Sequence, residues 1–240
     1  MRCAIFADVH GNLEAYEAVL GAIEKEGPDR IFCIGDLVGY GAQPSECVAR
    51  TRDLGCLTVI GNHDAAAVGR LTASYFNPFA REAILWTGAH LSEEDKEFLL
   101  GLSLVEEVEH FTLVHGTLDS PERFDYIDTL VGAERCFSHL KKPVVFIGHS
   151  HIPVAFFDTE PTTYTQSWPL RIPAGRKAIV NVGSVGQPRD GNPDAAYAIY
   201  DTDKGLVYLH RVPYDVEATS RKILDAGLPS ILAERLHFGM

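Results

Sequence analysis

The stretch RCAIFADVH, residues 2–10, decides the fold class because an apolar run leads directly into residues that carry chemistry. Residues 2–7 contain an apolar run, 3–7, that Arg2 and Asp8 bound, which predicts a short buried strand over 2–7. Residues 13–26 then place apolar side chains at helical spacing, and Gly27-Pro28 ends the pattern. This order predicts a strand that ends in polar residues and is followed at once by a helix.

The same alternation continues along the next part of the chain. Arg30–Gly35 predicts a second strand, Ser45–Leu54 a helix, and Leu57–Gly61 a third strand. A series of strands separated by helices implies a parallel sheet with right-handed crossovers. We therefore predict one parallel sheet from these three strands.

The remainder of the chain is rich in strands. Helices are predicted at Asn77–His90, Ser92–Leu100, Leu130–His139, Val216–Ala226 and Ser230–Leu236. Strands are predicted at Leu104–Val108, Phe111–Val114, Val144–Ile147, Val154–Phe157, Ala178–Val182, Ala196–Tyr200 and Val207–Arg211. So many strands require a second sheet. The predicted fold class is α/β (α+β), with two packed mixed sheets flanked by helices. It forms one domain over residues 1–240, with C-terminal helices at about 216–236.

The charge balance limits the possible partners. The 240 residues include 21 Lys and Arg and 33 Asp and Glu, which gives a formal net charge of −12. Such a surface repels nucleic-acid backbones and anionic membranes. The longest stretch without these four residue types is 143–157, shorter than the roughly 20 apolar residues of a membrane span. We expect neither stable nucleic-acid binding nor membrane association.

The cysteines and the first residues indicate a cellular compartment. Five widely spaced cysteines without a CxxC pair argue against a disulfide framework. Cys3 and Cys33 lie in apolar runs, where a thiol behaves as a small hydrophobic side chain. Asp8 comes too early for the apolar region of a signal peptide. These features predict a cytoplasmic protein.

Five short polar clusters, each containing or following a glycine, come directly after predicted strands. They are Asp8-Val9-His10-Gly11-Asn12, Gly35-Asp36, Gly61-Asn62-His63-Asp64, His115-Gly116 and Gly148-His149-Ser150-His151. Ligands in open α/β sheets bind at the carboxyl ends of strands. A spacing of two residues in extended backbone also points both side chains to one side. The clusters therefore predict one shared site.

The chemistry of these clusters favours a metal site. Carboxylates, imidazoles and one amide oxygen suit Mn, Fe, Zn or Ni better than Mg or Ca. Seven residues are too many for one ion, and two metals that share a carboxylate fit the number: Asp8, His10, Asp36, Asn62, His115, His149 and His151. Each cluster alone has a plainer interpretation as a turn, a cap or a buried histidine. Five of them in this order are improbable as separate accidents.

The ordered set D-x-H, GD, GNHD, H-G and GHSH resembles the calcineurin-like metallophosphoesterase superfamily. Residues 181–189, NVGSVGQPR, resemble the NxGSVGQPR loop of its small prokaryotic members. The resemblance implies a four-layer α/β/β/α sandwich and a phosphoesterase with two divalent metal ions. Manganese or iron is the expected pair, with zinc or nickel as alternatives.

The resemblance also implies how the ligands are divided. One metal would be held by Asp8, His10 and His151, the other by Asn62, His115 and His149, with Asp36 bridging both. Two such cations share a hydroxide, lower its pKa and aim it in line at phosphorus. His63 would act at the leaving-group oxygen as a general acid or an electrostatic stabiliser.

One departure from the family pattern concerns residues 35–41, GDLVGYG. The protein Ser/Thr phosphatases carry GDxxDRG there, whose second Asp steadies the catalytic histidine and whose Arg contacts phosphate. This chain has neither residue, so a protein phosphatase is disfavoured and the orienting partner of His63 is unidentified.

Substrate contacts are expected from Asn12, Tyr40 and Arg189. The glycines and Ser184 of residues 183–191 suit an anion-binding turn, and the guanidinium of Arg189 offers a planar fork for phosphate oxygens. An alternative remains open, in which Arg189 only pairs with Asp190 or another surface acid.

The leading hypothesis is a dinuclear metal-dependent phosphoesterase acting on a phosphomonoester, a phosphodiester or a nucleotide. Dinucleoside polyphosphate hydrolysis and general phosphodiester cleavage are its two variants. The alternatives are a non-catalytic interaction module of the same fold and a metal-dependent nuclease. The complete ligand set disfavours the module, and the net charge disfavours the nuclease. The oligomeric state is left open.

Overall fold

Two six-stranded β-sheets form the centre of the protein in a computed structural model that describes residues 1–240. Strands are numbered in chain order. The first sheet has the spatial order β3 (Leu57–Thr58), β2 (Arg30–Cys33), β1 (Arg2–Phe6), β11 (Ala195–Asp201), β12 (Leu206–Val212) and β9 (Leu170–Arg171). The second has the order β4 (Val105–Glu107), β5 (Phe111–Val114), β6 (Val144–Ile147), β10 (Ala178–Asn181), β7 (Val154–Phe157) and β8 (Thr163–Thr165).

Both sheets are mixed. Strands β1, β2 and β3 run parallel, as the sequence predicts, and β11 joins β1 antiparallel. In the second sheet β5, β6 and β10 run parallel, whereas β4 and β7 are antiparallel to their neighbours. The parallel strands therefore bring their carboxyl ends, and the polar clusters that follow them, to one edge of each sheet.

Eight α-helices accompany the sheets. They are α1 (Leu13–Glu26), α2 (Pro44–Leu54), α3 (Asn62–Ala67), α4 (Pro78–His90), α5 (Glu93–Leu100), α6 (Leu130–His139), α7 (Val216–Asp225) and α8 (Ser230–Glu234). Short 3₁₀ turns lie at Ala73–Tyr75, Pro121–Arg123 and Arg235–Phe238. No helix has the length and apolar character that crossing a membrane requires.

The alternation of side chains along the strands explains how the two sheets pack. In β1, Cys3 and Ile5 face the second sheet and contribute to a buried cluster with Phe111 and Phe146. Phe6 belongs to the opposite face, where its ring lies 5.4 Å from that of Tyr16 in α1. Helices thus cover the outer face of the first sheet, and the core between the sheets is apolar.

The outer face of the second sheet is covered in the same way. Residues Ala133, Cys136 and Phe137 of α6 pack on Val145 and other buried residues of the second sheet. The order of layers is therefore helix, sheet, sheet, helix, which confirms the predicted fold class.

The structure differs from the sequence prediction in three places. The predicted strand Leu57–Gly61 ends at Thr58, because helix α3 starts at Asn62, where the Asp64 carboxylate accepts from the N–H of Gly61. Strands β8 and β9 were not predicted, since three and two residues carry too little periodicity to be recognised. The predicted helix Ser230–Leu236 ends at Glu234 and continues as a 3₁₀ turn.

Candidate metal centre

The seven residues expected as ligands meet in one buried cluster at the carboxyl edges of the two sheets. Asp8 and His10 follow β1, Asp36 follows β2, Asn62 starts α3, His115 follows β5, and His149 and His151 follow β6. None of them is more than 7% exposed. Six of them and His63 form three groups of side chains, and within each group the potential ligand atoms lie within 4.8 Å of one another. The groups are Asp8, His10 and His151; Asp36, His115 and His149; and His10, Asp36 and His63.

In the first group, two imidazoles and a carboxylate face one another. The Nε2 atoms of His10 and His151 are 3.0 Å apart, and they lie 3.9 and 3.5 Å from Oδ1 of Asp8. His10 Nδ1 donates to the carbonyl oxygen of Val38 at 3.0 Å, and His151 Nδ1 donates to that of Gln187 at 2.6 Å. Because a carbonyl only accepts, both neutral rings carry their proton on Nδ1. Their Nε2 lone pairs therefore point at each other and at a carboxylate.

Acceptors that face one another in a buried space require a cation between them. Lone pairs at 3.0 Å repel each other, and burial leaves no water to separate them. Backbone carbonyls that fix the Nδ1 proton are the usual way in which proteins orient metal-binding histidines. The first group therefore fits a metal ion.

The second group has the same character. His115 Nδ1 donates to the carbonyl of Ile34 at 2.7 Å, so Nε2 faces Asn62 Oδ1 at 3.0 Å and Asp36 Oδ2 at 3.2 Å. His149 Nε2 and Asp36 Oδ2 are both buried, and neither atom has a hydrogen-bond partner of good geometry. Since buried polar atoms are nearly always paired, these two atoms have the chemistry of ligands to a bound cation.

The two carboxylates are held by backbone donors from other elements. Asp36 Oδ1 accepts from the N–H of His63 at 2.8 Å, at the start of α3. Asp8 accepts from the N–H of His149 at 3.1 and 3.2 Å. Asp36 lies so close to Gly61 that a Cβ there would collide with its carboxylate. The cluster is thus tied together across both sheets before any metal binds.

The backbone around the cluster adopts an uncommon conformation. Asp8, His10, Asp36, His149 and His151 all have φ between 51° and 68°, in the left-handed region. Residues other than glycine rarely occur there, and such strain concentrates at functional sites. The sequence predicts side chains that point together from extended backbone, whereas left-handed turns bring them together in the structure.

Burial and mutual charge shift the pKa values of these groups in the absence of a metal. Burial raises the pKa of Asp8 to about 8, and it holds those of His10, His149 and His151 well below the usual range. Burial also lowers the pKa of His115, but the charge of Asp36, its hydrogen bond to the ring and the charge of Asp8 together outweigh burial and raise the His115 pKa to about 9. Without a metal, Asp8 and His115 therefore each hold a proton at pH 7, whereas His10, His149 and His151 are neutral.

His63 lies beside the cluster with its ring on aromatic neighbours. Its centroid is 4.8 Å from His10, 4.5 Å from Tyr40 and 5.0 Å from Phe76. Its Nδ1 is buried without a hydrogen-bond partner, and a Cβ at Gly39 would collide with the ring. Burial lowers the His63 pKa to about 4, so the ring is neutral at pH 7.

Asp64 does not orient His63. Its carboxylate accepts from the N–H groups of Gly61 at 3.0 Å and Val38 at 3.1 Å, so it caps α3. His63 has no carboxylate partner on Nδ1, unlike the pattern implied by the protein phosphatases.

Arg189 reaches the cluster from the loop after β10. Its Nη2 donates to Tyr40 Oη at 3.2 Å and to Gln187 Oε1 at 2.9 Å, and its Nε is buried without a partner. The expected alternative, a pair with Asp190, is wrong because Asp190 pairs with Arg211. The guanidinium forms no salt bridge, and its charge lowers the pKa of His10 and His151 after the larger effect of burial.

Two expectations for substrate contacts are contradicted by the geometry. Asn12 is 2% exposed, and its amide caps α1 at Ala15 and donates to the carbonyl of Gly186. Ser184 is fully buried and donates to the carbonyl of Asp8, so it is no open anion-binding turn. Both side chains brace the segment that carries Asp8 and His10, because the loop after β10 packs directly beneath it.

Sequence reasoning missed the backbone carbonyls of Ile34, Val38 and Gln187, which fix the imidazole tautomers. A carbonyl group carries no sequence signal. The start of α3 does have one, since an acidic residue such as Asp64 is favoured in the first turn of a helix.

Comparison with known proteins gives a consistent result. A family model of the calcineurin-like phosphoesterase superfamily domain matches residues 1–205. The crystal structure of a metallophosphoesterase from Sphaerobacter thermophilus is 39% identical, with a TM-score of 0.89 over 100% of this chain and 99% of that chain. An uncharacterised protein of Methanocaldococcus jannaschii is 38% identical over 98% of this chain and 97% of its own length.

A more distant relative carries a named activity. The phosphodiesterase YfcE of Escherichia coli K12 is 26% identical over 85% of this chain and 89% of its own length. The match of the family model over most of the chain, together with relatives close to 40% identical, agrees with the motifs and with the four layers. The chain belongs to the calcineurin-like phosphoesterase superfamily.

Proposed function

We propose that this protein is a phosphoesterase that uses two divalent metal ions to hydrolyse a small phosphomonoester, phosphodiester or nucleotide. The observation that carries the proposal is the pair of Nε2 atoms of His10 and His151, which face each other at 3.0 Å beside Asp8. Only a bound cation, or a proton that the buried rings resist, satisfies this arrangement.

The residues divide into two ligand sets and one bridge. Asp8, His10 and His151 hold one ion, Asn62, His115 and His149 hold the other, and Asp36 lies between the sets. When bound, two such ions supply charge neutralisation at the phosphoryl oxygens and a water of lowered pKa. Manganese or iron suits the mixture of imidazole and carboxylate ligands, with zinc or nickel as alternatives.

His63 acts on the leaving group without being a ligand. Its ring is neutral at pH 7, because burial lowers its pKa to about 4. A neutral ring donates a hydrogen bond from one nitrogen, so stabilisation of the leaving oxygen fits this histidine better than proton transfer from an imidazolium.

Arg189 and Tyr40 bind the phosphate. The guanidinium of Arg189 has no acidic partner, and its hydrogen bond to Tyr40 Oη directs it at the site. It takes the place of the arginine that the protein phosphatases carry after the bridging Asp. The E. coli relative is named a phosphodiesterase, which favours diesters among the substrates to be tried first.

The experiment compares metals and phosphate esters. Metal-stripped protein receives Mn²⁺, Fe²⁺, Zn²⁺ or Ni²⁺ and is assayed with p-nitrophenyl phosphate, bis(p-nitrophenyl) phosphate and diadenosine tetraphosphate. We expect hydrolysis only with added metal, loss of hydrolysis in Asp36→Asn, and full activity in the control His110→Ala, whose side chain is distant and partly exposed.

One result would contradict the proposal, and another would narrow it. Protein that binds two metals and cleaves no ester would favour the alternative of a non-catalytic interaction module. Cleavage of diadenosine tetraphosphate alone would narrow the proposal to the dinucleoside polyphosphate variant. The complete ligand set argues against the module, because every expected ligand is present and buried.

A further inference from the structure

A cleft of about 240 Å³ opens directly beside the metal centre, and aromatic side chains form much of its wall. Asn62, His63 and His149 border it on the inner side. Other parts of the wall are lined by Tyr75, Phe76, Arg123, Phe124 and Tyr126. The two segments that contribute these residues, 71–77 and 123–126, are far apart in sequence and meet only at this cleft.

Tyr126 and Phe76 are placed against the histidines of the site. The ring of Tyr126 stacks on His149, with centroids 3.8 Å apart and planes 15° from parallel. The ring of Phe76 meets His63 edge-on at 5.0 Å and 77°. The aromatic surface is thus continuous with the residues proposed to hold one metal and to act on the leaving group.

The two tyrosines of this cleft are more exposed than aromatic side chains usually are. Tyr75 is 83% exposed and Tyr126 is 51% exposed, and no other part of the chain covers them. A cluster of exposed aromatic residues next to a polar centre is typical of a ligand-binding surface. The cleft volume lies just below the roughly 300–1,000 Å³ of pockets for drug-sized ligands, which suits one ring system.

We propose that this cleft binds the planar aromatic part of the leaving alcohol, so that the preferred substrates are phosphate esters of nucleosides. The proposal rests on the proposed function, since it assigns a leaving group to that reaction. Aromatic side chains stack on the faces of nucleobases without regard to their sequence. In the reaction, water gives its oxygen and one proton to the phosphoryl group, the P–O bond to the nucleoside breaks, and the nucleoside oxygen takes the second proton.

The test uses substrates that differ only in the base. Adenosine 5′-monophosphate and ribose 5-phosphate release a ribose 5′-hydroxyl, and the methyl diesters of both compounds provide the matching diester pair. We expect wild-type protein with Mn²⁺ to prefer the adenosine compound by roughly tenfold or more in kcat/KM, as stacking on exposed rings provides.

The variants separate stacking from general damage. Tyr126→Leu and Phe76→Leu should bring the preference for adenosine close to one, whereas Tyr126→Phe should retain it because stacking needs the ring and not the hydroxyl. Tyr164→Ala is the control, since Tyr164 is 63% exposed and lies outside this cleft. It should keep the wild-type preference.

The possible failures are distinguishable. If neither compound of either pair nor any p-nitrophenyl ester is hydrolysed with any metal, the proposed function itself fails. If only the p-nitrophenyl esters are hydrolysed, the proposed function stands and the nucleoside cleft is wrong. If both compounds are hydrolysed equally well, or if the preference survives in Tyr126→Leu and Phe76→Leu, the phosphoesterase proposal stands and the nucleoside cleft is wrong.

Discussion

His10 and His151 present unprotonated Nε2 atoms to each other at 3.0 Å, in a space that excludes water. Each ring is held in this state by a backbone carbonyl that accepts the proton on Nδ1. The folded protein therefore stores a repulsion that a cation removes, and metal binding stabilises the fold as well as creating the active centre.

Metal-stripped protein should gain thermal stability when Mn²⁺ is added. At a metal concentration of 100 times Kd the gain is about 2.7 kcal/mol, and each kcal/mol raises Tm by about 2–4 °C for a chain of this size. We expect a rise of about 5–10 °C in calorimetry. His151→Ala should show a clearly smaller rise, and His110→Ala the full one. An equal rise in His151→Ala would remove this histidine from the ligand set.

Asp36 is proposed to serve both metals, so its replacement should affect both. In Asp36→Asn the oxygen that accepts from His63 N–H can remain, while an amide nitrogen replaces Oδ2, which faces His115. Because that nitrogen cannot be a ligand, elemental analysis should find fewer than one metal per chain instead of two.

Asp64→Asn is the matched control, because Asp64 is an equally buried carboxylate that caps α3 and faces no histidine. It should keep two metals and lose about 1–2 kcal/mol of stability. An Asp36→Asn protein that retains two tightly bound metals would show that Asp36 is not the bridge.

His63→Ala should reduce turnover while metal content stays at the wild-type level. Removing one hydrogen-bond donor that stabilises developing negative charge lowers kcat by about 10²–10³-fold. The loss should shrink for p-nitrophenyl esters, whose leaving group needs little stabilisation. The measurement pairs kcat with metal analysis on the same sample. His63 also lies within ligand distance of His10 and Asp36, so a parallel loss of metal would make it a ligand.

The sequence could predict those parts of the site whose signal lies within a short stretch of the chain. Asp8, His10, Asp36, Asn62, His115, His149 and His151 could be found because polar side chains after apolar strands violate the pattern of a buried core. The number of predicted strands likewise indicated a second sheet. These signals are local in sequence.

Other parts of the site depend on contacts between distant segments. Phe76 and Tyr126 come together only in the folded chain, and neither segment has a recognisable motif. The burial of Ser184 and Asn12 could not be foreseen either, because a glycine-rich loop looks the same whether it faces solvent or braces a neighbouring segment. The sequence suggested an anion-binding turn where the fold needed a support.

Arg189→Ala should weaken the binding of phosphate esters. A charge-assisted hydrogen bond contributes about 1.5–3 kcal/mol, so kcat/KM should fall roughly tenfold or more. Arg189→Lys should recover only part of this loss, since an ammonium group lacks the planar fork. Metal content and Tm should match the wild type. Unchanged kinetics with several esters would leave Arg189 a structural partner of Tyr40 and Gln187.

Metal binding should release protons at pH 7 and should strengthen as the pH rises. Burial raises the pKa of the Asp8 carboxyl to about 8. Burial lowers the pKa of His115, but the charge of Asp36, its hydrogen bond to the ring and the charge of Asp8 together raise that pKa to about 9. Both groups therefore hold a proton at pH 7 in the metal-free protein, and both must lose it to become ligands. Below these pKa values each displaced proton opposes binding, so the apparent Kd for Mn²⁺ should fall by about ten- to a hundredfold per pH unit between pH 6 and 8. Above pH 9 the dependence of the apparent Kd on pH should level off.

Titration calorimetry in two buffers of different ionisation enthalpy counts the released protons directly, and we expect between one and two per chain at pH 7. A binding enthalpy that is the same in both buffers, with a Kd that does not change from pH 6 to 8, would mean that the ligands are already unprotonated.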